Sequence, residues 1–282
     1  STAARRTLAK AMEEILPGMD WYGIIEQTCT LILDVEREGE PIVEMETYEP
    51  PEHVRYRLEP VLPEGHASLV FGFGGTGKSM LAALFCTLLD GTNDKLGFTA
   101  EPGPVLYLDY EGSPEEFHRR LLAIRRGLGL QSRPSTLYRY CHQPLADDYP
   151  ELQKIVIDRG IQVIMVDSMG AACGGSQAEP GSVDVLRYHR ALRGLRVTSL
   201  TIDHKTKADG SKPYGSVYKE NQVRSMWELR KTQEEGENTL SIGLFHRKVN
   251  LGRLHRPLGL TIDFKGEEGS AEETVTFKRT DL

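Results

Sequence analysis

The sequence predicts an α/β fold with a mostly parallel central sheet, antiparallel strands near the C-terminus and a small N-terminal extension. From residue 65 to about residue 224, short apolar runs alternate with helical stretches, which is typical of a parallel sheet covered by helices. Several of these runs are apolar along their whole length, as strands buried on both faces are. Beyond residue 224 the pattern becomes hairpin-like, so the sheet is predicted to end in antiparallel strands.

Composition places the chain among ordinary globular proteins. Its 282 residues are 39% hydrophobic and 27% charged, which excludes disordered and disulfide-scaffold classes. The 34 Lys and Arg against 41 Asp and Glu give a net charge of −7, so any nucleic-acid contact must be local. The four cysteines are far apart and are predicted to be free thiols. No apolar run reaches the ~18 residues of a membrane span, and we expect a cytoplasmic protein with no membrane association.

The first 58 residues are predicted to form an N-terminal helix and hairpin, followed by a main domain over residues 59–282. Residues 3–15 have helix-forming composition and are followed by Pro17 and Gly18, which favours a short helix. Between Ile24 and Met45, two runs rich in Ile, Val, Leu and Thr flank a charged segment. That pattern predicts the hairpin.

Nine runs in the main domain are predicted strands. The predicted parallel strands are Ser68–Phe71, Pro104–Asp109, Leu137–Tyr140, Gln162–Asp167 and Val197–Asp203. The predicted antiparallel strands are Ser225–Thr232, Thr239–His246, Leu258–Phe264 and Glu273–Lys278. Ligands of open α/β sheets bind beyond the carboxyl ends of the parallel strands, so functional residues are expected at those ends.

A glycine-rich segment follows the first of these strands and leads into a helical stretch from Met80 to Leu89. It reads G-x-x-x-x-G-K-S, and its predicted nucleotide-binding residues are Gly72, Gly74, Gly75, Thr76, Gly77, Lys78 and Ser79. In this strand–loop–helix context the motif is a phosphate-binding loop. Backbone N–H groups surround the phosphates, Lys78 supplies a positive charge, and the Ser79 hydroxyl ligates Mg²⁺.

Acidic residues end two further predicted strands. Asp167 follows an apolar run and is the predicted second residue of the magnesium site, beside Ser79. Asp109 and Glu111 follow another strand, where a carboxylate can orient and deprotonate the attacking water that hydrolysis requires. We favour Glu111 as the base and keep Asp109 as the alternative.

Four motifs in this order resemble those of RecA-like P-loop ATPases. They are the segments 72–79, 106–111, 166–168 and 201–207. The similarity covers roughly residues 58–265 and is greatest to the RepA/DnaB-type hexameric helicase branch, whose domains are often described as AAA domains. The resemblance implies a RecA-like core that hydrolyses ATP with Mg²⁺ at the interfaces of a homo-oligomer. A hexameric ring is expected, with a filament as the alternative, acting on single-stranded DNA.

The resemblance also implies roles for individual residues. Lys78 and Glu111 match the phosphate-binding and catalytic positions, and His204, at a strand end, matches the residue that senses the γ-phosphate. Relatives carry a K-x-R element that reaches the neighbouring subunit's ATP. This chain has Lys248-Val249-Asn250, and Asn cannot supply the second charge. Lys248 therefore acts alone, or Arg247 or Arg253 takes the second place.

The segment 205–219 concentrates lysines and tyrosines in an acidic protein. Lysines and aromatic side chains together hold phosphates and stack on bases, which predicts a nucleic-acid site; the alternative is a solvated loop. The predicted contacts are Lys205, Lys207, Lys212 and Lys219.

Two other functions compete with the helicase. One is a RecA-like regulator or loader whose ATP cycle changes assembly without translocation. The other is a P-loop phosphotransferase, which should carry an acceptor site and an arginine-rich lid.

Overall fold

The computed structural model describes residues 2–38, 42–91, 95–174, 180–205, 218–232, 237–267, 269–270 and 272–281. Residues 1–52 and 53–282 form two compact units, so the boundary lies a few residues before the predicted one at 58. Among the described residues, no helix is long and apolar enough to cross a bilayer.

The N-terminal unit contains two helices, α1 (Thr2–Ile15) and α2 (Trp21–Glu38). The predicted hairpin is therefore wrong, because most of its first run is helical. The Asp20 side chain accepts a hydrogen bond from the Gly23 amide (3.0 Å), which caps the start of α2. An Arg5–Glu26 ion pair (2.7 Å) joins the two helices. The β-branched residues that suggested strands destabilise a helix by only ~0.5 kcal/mol each. The N-cap and the packing of the two helices together contribute more stability than these residues remove.

The main unit is built on a nine-stranded sheet with the order β12-β11-β10-β9-β3-β8-β7-β5-β6. Its parallel strands are β3 (Ala67–Gly72), β5 (Val105–Asp109), β6 (Leu137–Tyr140), β7 (Val163–Asp167), β8 (Thr198–His204) and β9 (Ser225–Thr232). The strands β10 (Thr239–Val249), β11 (Leu258–Lys265) and β12 (Thr274–Thr280) follow. Strand β9 runs parallel to β3 and antiparallel to β10, so the sheet changes from parallel to antiparallel at β9. The predicted α/β class and the antiparallel C-terminal strands are confirmed.

A small second sheet was not predicted. It consists of β1 (Tyr56–Glu59), β2 (Leu62–Pro63) and β4 (Thr99–Ala100), in the order β2-β1-β4. Two of these strands have only two residues, too short for an alternating pattern to appear in the sequence.

Helices cover both faces of the parallel strands. They are α3 (Lys78–Leu89), α4 (Pro114–Gly127), α5 (Tyr149–Arg159), α6 (Met169–Cys173), α7 (Ser182–Gly194) and α8 (Tyr218–Gln222). Side chains alternate between two hydrophobic clusters. Val70 packs with α3 and α4 on one face, whereas Leu69 and Phe71 pack with α7 on the other. This double burial explains why the parallel strands are apolar throughout.

A stacked aromatic pair lies in the sheet at the junction of β9 and β10. The rings of Trp227 and His246 are 4.1 Å apart and nearly parallel. His246 Nδ1 accepts a hydrogen bond from the His255 amide (3.1 Å), and Nε2 lies 3.3 Å from Ser225 Oγ. Burial, together with the neighbouring His255, lowers the pKa of His246 to about 4.

This low pKa predicts that acid destabilises the fold through His246. Between the folded pKa of about 4 and the unfolded value of ~6.5, the unfolded chain binds the proton and the folded chain does not. Stability from this group is therefore complete above pH ~6.5 and is lost as the pH falls toward ~4. His246→Phe, which keeps a ring against Trp227, should lower the pH dependence of the unfolding free energy by about 1 kcal/mol per pH unit near pH 5.5.

The measurement is urea unfolding across this pH range. The same replacement at the exposed His118 on α4 is the matched control for exchanging a histidine for a phenylalanine. An unchanged slope in the His246 variant would show that this residue does not titrate on unfolding.

Candidate active site

The register of the parallel strands brings the predicted site residues to one edge of the sheet. Gly72 of β3 lies beside His204 of β8, and Asp109 of β5 lies beside Asp167 of β7. Phosphate-loop, metal, base and sensor candidates thus meet at the carboxyl edge, although they are spread over more than a hundred residues of sequence.

The glycine-rich loop needs glycine at two positions for different reasons. Gly77 precedes α3 with φ of 86°, a left-handed conformation that disfavours other residues. At Gly72, a Cβ atom would lie 2.6 Å from the carbonyl oxygen of Leu229, so β9 leaves no room for a side chain. The loop can therefore present its backbone N–H groups to an anion at the start of α3.

Lys78 is the first residue of α3 and is only 6% exposed. Its Nζ donates to the carbonyl oxygens of Gly72 (3.1 Å) and Phe73 (2.8 Å). Burial lowers the pKa of Lys78, and the nearby carboxylates, chiefly Asp167, oppose that shift. An ammonium group has three donors, so one is left to reach a phosphate.

Ser79 and Asp167 form the candidate magnesium site. Asp167 is 8% exposed, and its Oδ2 accepts a hydrogen bond from Tyr107 Oη (2.7 Å). Burial raises the pKa of Asp167, while hydrogen bonds from Ser79 and Tyr107 oppose the shift. A hydroxyl and a carboxylate in contact fit Mg²⁺, which usually takes one or two carboxylates and completes its shell with phosphate and water oxygens. Within the described ranges, no group of three or more His, Cys, Asp and Glu side chains that could hold a metal ion is found.

The two candidate bases have different surroundings. Asp109 is buried; its Oδ1 accepts from the amides of Glu111 (2.9 Å) and Gly112 (2.8 Å), and its Oδ2 accepts from Tyr138 Oη (3.0 Å). Through these hydrogen bonds, Asp109 stabilises the turn after β5. Glu111, at the tip of that turn, has a side chain 51% exposed; both carboxylates line the cleft that contains Ser79. The geometry therefore favours Glu111 as the base.

Two side chains orient the Glu111 carboxylate. Ser168 donates a hydrogen bond to Glu111 Oε1, and His204 Nε2 lies 3.7 Å from the same oxygen. The peptide bond between Asp167 and Ser168 is cis. His204 lowers the pKa of Glu111, partial burial raises it, and Ser168 lowers it further, so the net shift is downward. Glu111 is thus held as a carboxylate beside the predicted sensor.

Two adjoining clefts open at this edge. The smaller, of about 130 Å³, contains Ser79, Asp167 and Glu111. The larger, of about 590 Å³, lies between α4 and the turns of the antiparallel strands. Arg120 of α4 lines both, and no ion-pair partner is found for it in the described part of the chain. The sequence does not single out Arg120, which lies one helical turn after the buried Phe117 and directly before the buried Leu121.

The predicted nucleic-acid lysines fall into two groups. Lys207 and Lys212 lie outside the described residues. Lys205 pairs with Glu228, and Lys219 pairs with Asp203 (2.9 Å), all four side chains being at most 5% exposed. This corrects the expectation for Lys205 and Lys219: a buried ammonium requires a counter-charge, and the protein supplies it.

Lys248 is also engaged within its own chain. Its Nζ donates to the carbonyl oxygens of Glu220 (2.6 Å) and Val223 (3.0 Å), at the end of α8. This differs from the expected ammonium reaching a neighbour, because unpaired carbonyls at a helix end attract a nearby cation. Arg247 pairs with Glu228, whereas Arg253 is exposed.

Comparison with known proteins identifies the family. A family described as "AAA domain" matches residues 38–210, more than half of the chain. The chain belongs to the AAA domain family. Its fold is similar to that of a KaiC-like protein from the hyperthermophilic archaeon Pyrococcus horikoshii, with 16% sequence identity and a TM-score of 0.55. The match covers 81% of this chain and 100% of that one. The chain is thus an AAA domain by family, and its fold is similar to that of the KaiC-like protein.

Ser168 gives this AAA domain a testable pH signature. Because the Ser168 hydroxyl lowers the pKa of Glu111, Ser168→Ala should raise it. The acidic limb of the pH–rate profile for ATP turnover should therefore move to higher pH, because the carboxylate loses a hydrogen bond that favours its charged form.

Ser113→Ala is the control, because this hydroxyl lines the same cleft but caps α4 by accepting from the Glu116 amide. It should lower stability by about 1 kcal/mol and leave the limb in place. If the acidic limb lies at the same pH in the parent and in the Ser168→Ala enzyme, Ser168 does not orient the Glu111 carboxylate.

Proposed function

We propose that this protein hydrolyses ATP with Mg²⁺, using Lys78, Ser79, Asp167 and Glu111 in the roles given above. The observation that carries the proposal is the meeting of a complete phosphate loop with an exposed, oriented carboxylate at one sheet edge. A protein that only binds nucleotide needs the loop but not the carboxylate. Hydrolysis therefore accounts for more of the site than binding does.

The residues divide the reaction between them. Lys78 and the loop amides hold the phosphates, and Ser79 with Asp167 would hold Mg²⁺, which spreads the charge of the transferred phosphoryl group. Glu111 orients the water and accepts its proton. We assign to His204 the role of sensing the departure of the γ-phosphate, and the 3.7 Å distance from its Nε2 to Glu111 Oε1 supports this assignment. We propose that the base and ribose occupy the larger cleft, with Arg120 at its junction with the phosphate site.

We further propose that the protein acts as a homo-oligomer on single-stranded DNA, as a helicase of the RepA/DnaB type. Two lysines of segment 205–219, Lys207 and Lys212, support a DNA contact after the sensor strand, because Lys205 and Lys219 are engaged in buried ion pairs. A hexameric ring would repeat these lysines along one channel. Arg253 is the best candidate to reach the neighbouring site, because it is exposed near the K-x-N element, where Lys248 and Arg247 are engaged within the chain.

One observation favours a second candidate, a regulator or loader without translocation. Asn250 cannot supply the second charge of the K-x-R element, and Lys248 caps α8 of its own chain. Weak coupling between neighbouring sites would suit a protein whose ATP cycle changes assembly only.

The first test concerns the chemistry. Lys78→Ala should abolish ATP turnover, because the charge on the phosphates is lost. Glu111→Gln should still bind ATP but hydrolyse it at least ~100-fold more slowly, because the amide keeps the shape and cannot accept a proton. Phosphate release and equilibrium ATP binding measure the two effects.

Asp109→Asn is the matched comparison for Glu111→Gln. A slow Asp109→Asn enzyme beside an active Glu111→Gln enzyme would reassign the base. Unchanged turnover in Lys78→Ala would remove the proposed reaction from this site.

The second test separates the helicase from the loader. Single-stranded DNA should stimulate ATP turnover, and a helicase should unwind a tailed duplex whereas a loader should not. Lys207→Ala with Lys212→Ala should weaken single-strand binding and reduce the slope of log affinity against log salt by about 1.4, or ~0.7 for each lost phosphate contact.

The charge-matched control is Lys154→Ala with Arg159→Ala, both exposed on α5. If the segment variant and the control bind DNA alike, segment 205–219 is a solvated connector.

A further inference from the structure

A cluster of cations and aromatic rings lies beside the phosphate loop, on the side of β9 and β10. We call it the cationic patch; it consists of Phe73, Lys205, Arg230, Lys231, Phe245 and Arg247. The site described above uses none of these six side chains. Four of them, Phe73, Lys205, Arg230 and Lys231, line a cleft of about 380 Å³ together with Gly74 and Thr76 of the phosphate loop.

Glu228 is the buried carboxylate that binds three of the cations in the patch. Its side chain is 1% exposed and accepts hydrogen bonds from Lys205, Arg230 and Arg247. Although burial alone would raise the pKa of Glu228, these three cations lower it to about 2. One carboxylate against three cations leaves an excess of two positive charges, and Lys231 adds a third at the surface.

The two arginines are fixed in place. The guanidinium groups of Arg230 and Arg247 lie 4.9 Å and 5.3 Å from the centroid of Phe245. Glu228 bonds both of them, yet their side chains remain 55% and 36% exposed. Each guanidinium has five N–H donors, so donors remain for an anion, and ordering them on binding costs little entropy.

The patch is continuous with the phosphate loop and with the predicted DNA segment. Phe73 belongs to the loop, is 43% exposed, and has the Lys205 ammonium 5.0 Å from its ring centroid. Lys231 Nζ lies 3.9 Å from the position that a Cβ atom of Gly75 would take. Lys205 is the first residue of segment 205–219 and hydrogen-bonds Gly72 through its amide (3.0 Å).

We propose that the cationic patch binds the phosphodiester backbone of a single-stranded nucleic acid, with Phe73 as a stacking surface for a base. The proposal rests on the proposed action on single-stranded DNA and extends its contacts beyond segment 205–219. Exposed, pre-ordered guanidinium groups fit phosphate oxygens, and a neighbouring aromatic ring fits the bases of an unpaired strand.

An acidic segment of a second copy of this chain is the competing occupant. It would pair with the arginines but would leave the exposed part of the Phe73 ring in water, because carboxylates do not stack on an aromatic ring. A single strand presents phosphates and π-faces at alternating positions, so it matches both parts of the patch.

The experiment uses the full chain and a fluorescent oligothymidylate. Arg230→Ala with Lys231→Ala removes two exposed cations and leaves Lys205 and Arg247 on Glu228. Anisotropy titrations across a salt series should show affinity about tenfold weaker and a salt slope reduced by about 1.4. The α5 control, Lys154→Ala with Arg159→Ala, removes the same charge and should bind as the parent does. Thermal unfolding of both variants is the control for correct folding.

A second arm tests the stacking surface. The parent should prefer oligothymidylate to an abasic oligomer that has the same phosphates but no bases. Phe73→Leu should lose most of this preference and keep the salt slope, because the cations remain. Equal preference in parent and variant would overturn the role of Phe73.

The remaining outcomes separate this proposal from the others. If the Arg230/Lys231 variant binds oligothymidylate as the parent does, the patch is not a nucleic-acid site. If that variant instead changes the oligomer distribution in mass photometry, the second copy is the occupant. If the parent hydrolyses ATP but binds no single-stranded nucleic acid, the proposed patch function and the helicase function are both refuted. The proposed ATP hydrolysis is retained.

Discussion

The parallel pairing of β3 with β8 and β9 is the constraint on which the site depends. It sets Gly72 beside His204 and Phe71 beside both Asp203 and Glu228. Side chains alternate along β8, so Asp203 and Lys205 bond groups on one face while His204 turns to Glu111 on the other. A slip of one residue would exchange these faces. It would bury the sensor and expose the two ion pairs.

Much of the fold could be predicted because its signals are local. The phosphate loop is a contiguous motif, and the strands that flank it are apolar over their whole length because both faces are buried. Glu111 could be named because it follows a strand end. The helix α2 was missed because its β-branched residues suggested strands, although Asp20, a good N-cap residue, stood directly before it.

The ion pairs could not be predicted because their partners are distant in sequence. Asp203 of β8 forms an ion pair with Lys219 of α8. Lys205, just after β8, forms one with Glu228 of β9, on the far side of β3. A sequence shows that these residues are charged but not that tertiary structure buries them. For the same reason the capping role of Lys248 and the position of Arg120 between two clefts became visible only in three dimensions.

The buried ion pairs of Lys205 and Lys219 limit which substitutions this domain can tolerate. Asp203–Lys219 and Lys205–Glu228 anchor the residues on both sides of segment 206–217 to the body of the domain. Removing one partner of a buried pair costs ~3–5 kcal/mol, so these anchors resist change. The flanks of the segment are therefore held by residues whose replacement lowers the unfolding free energy of the domain, whatever the segment itself binds.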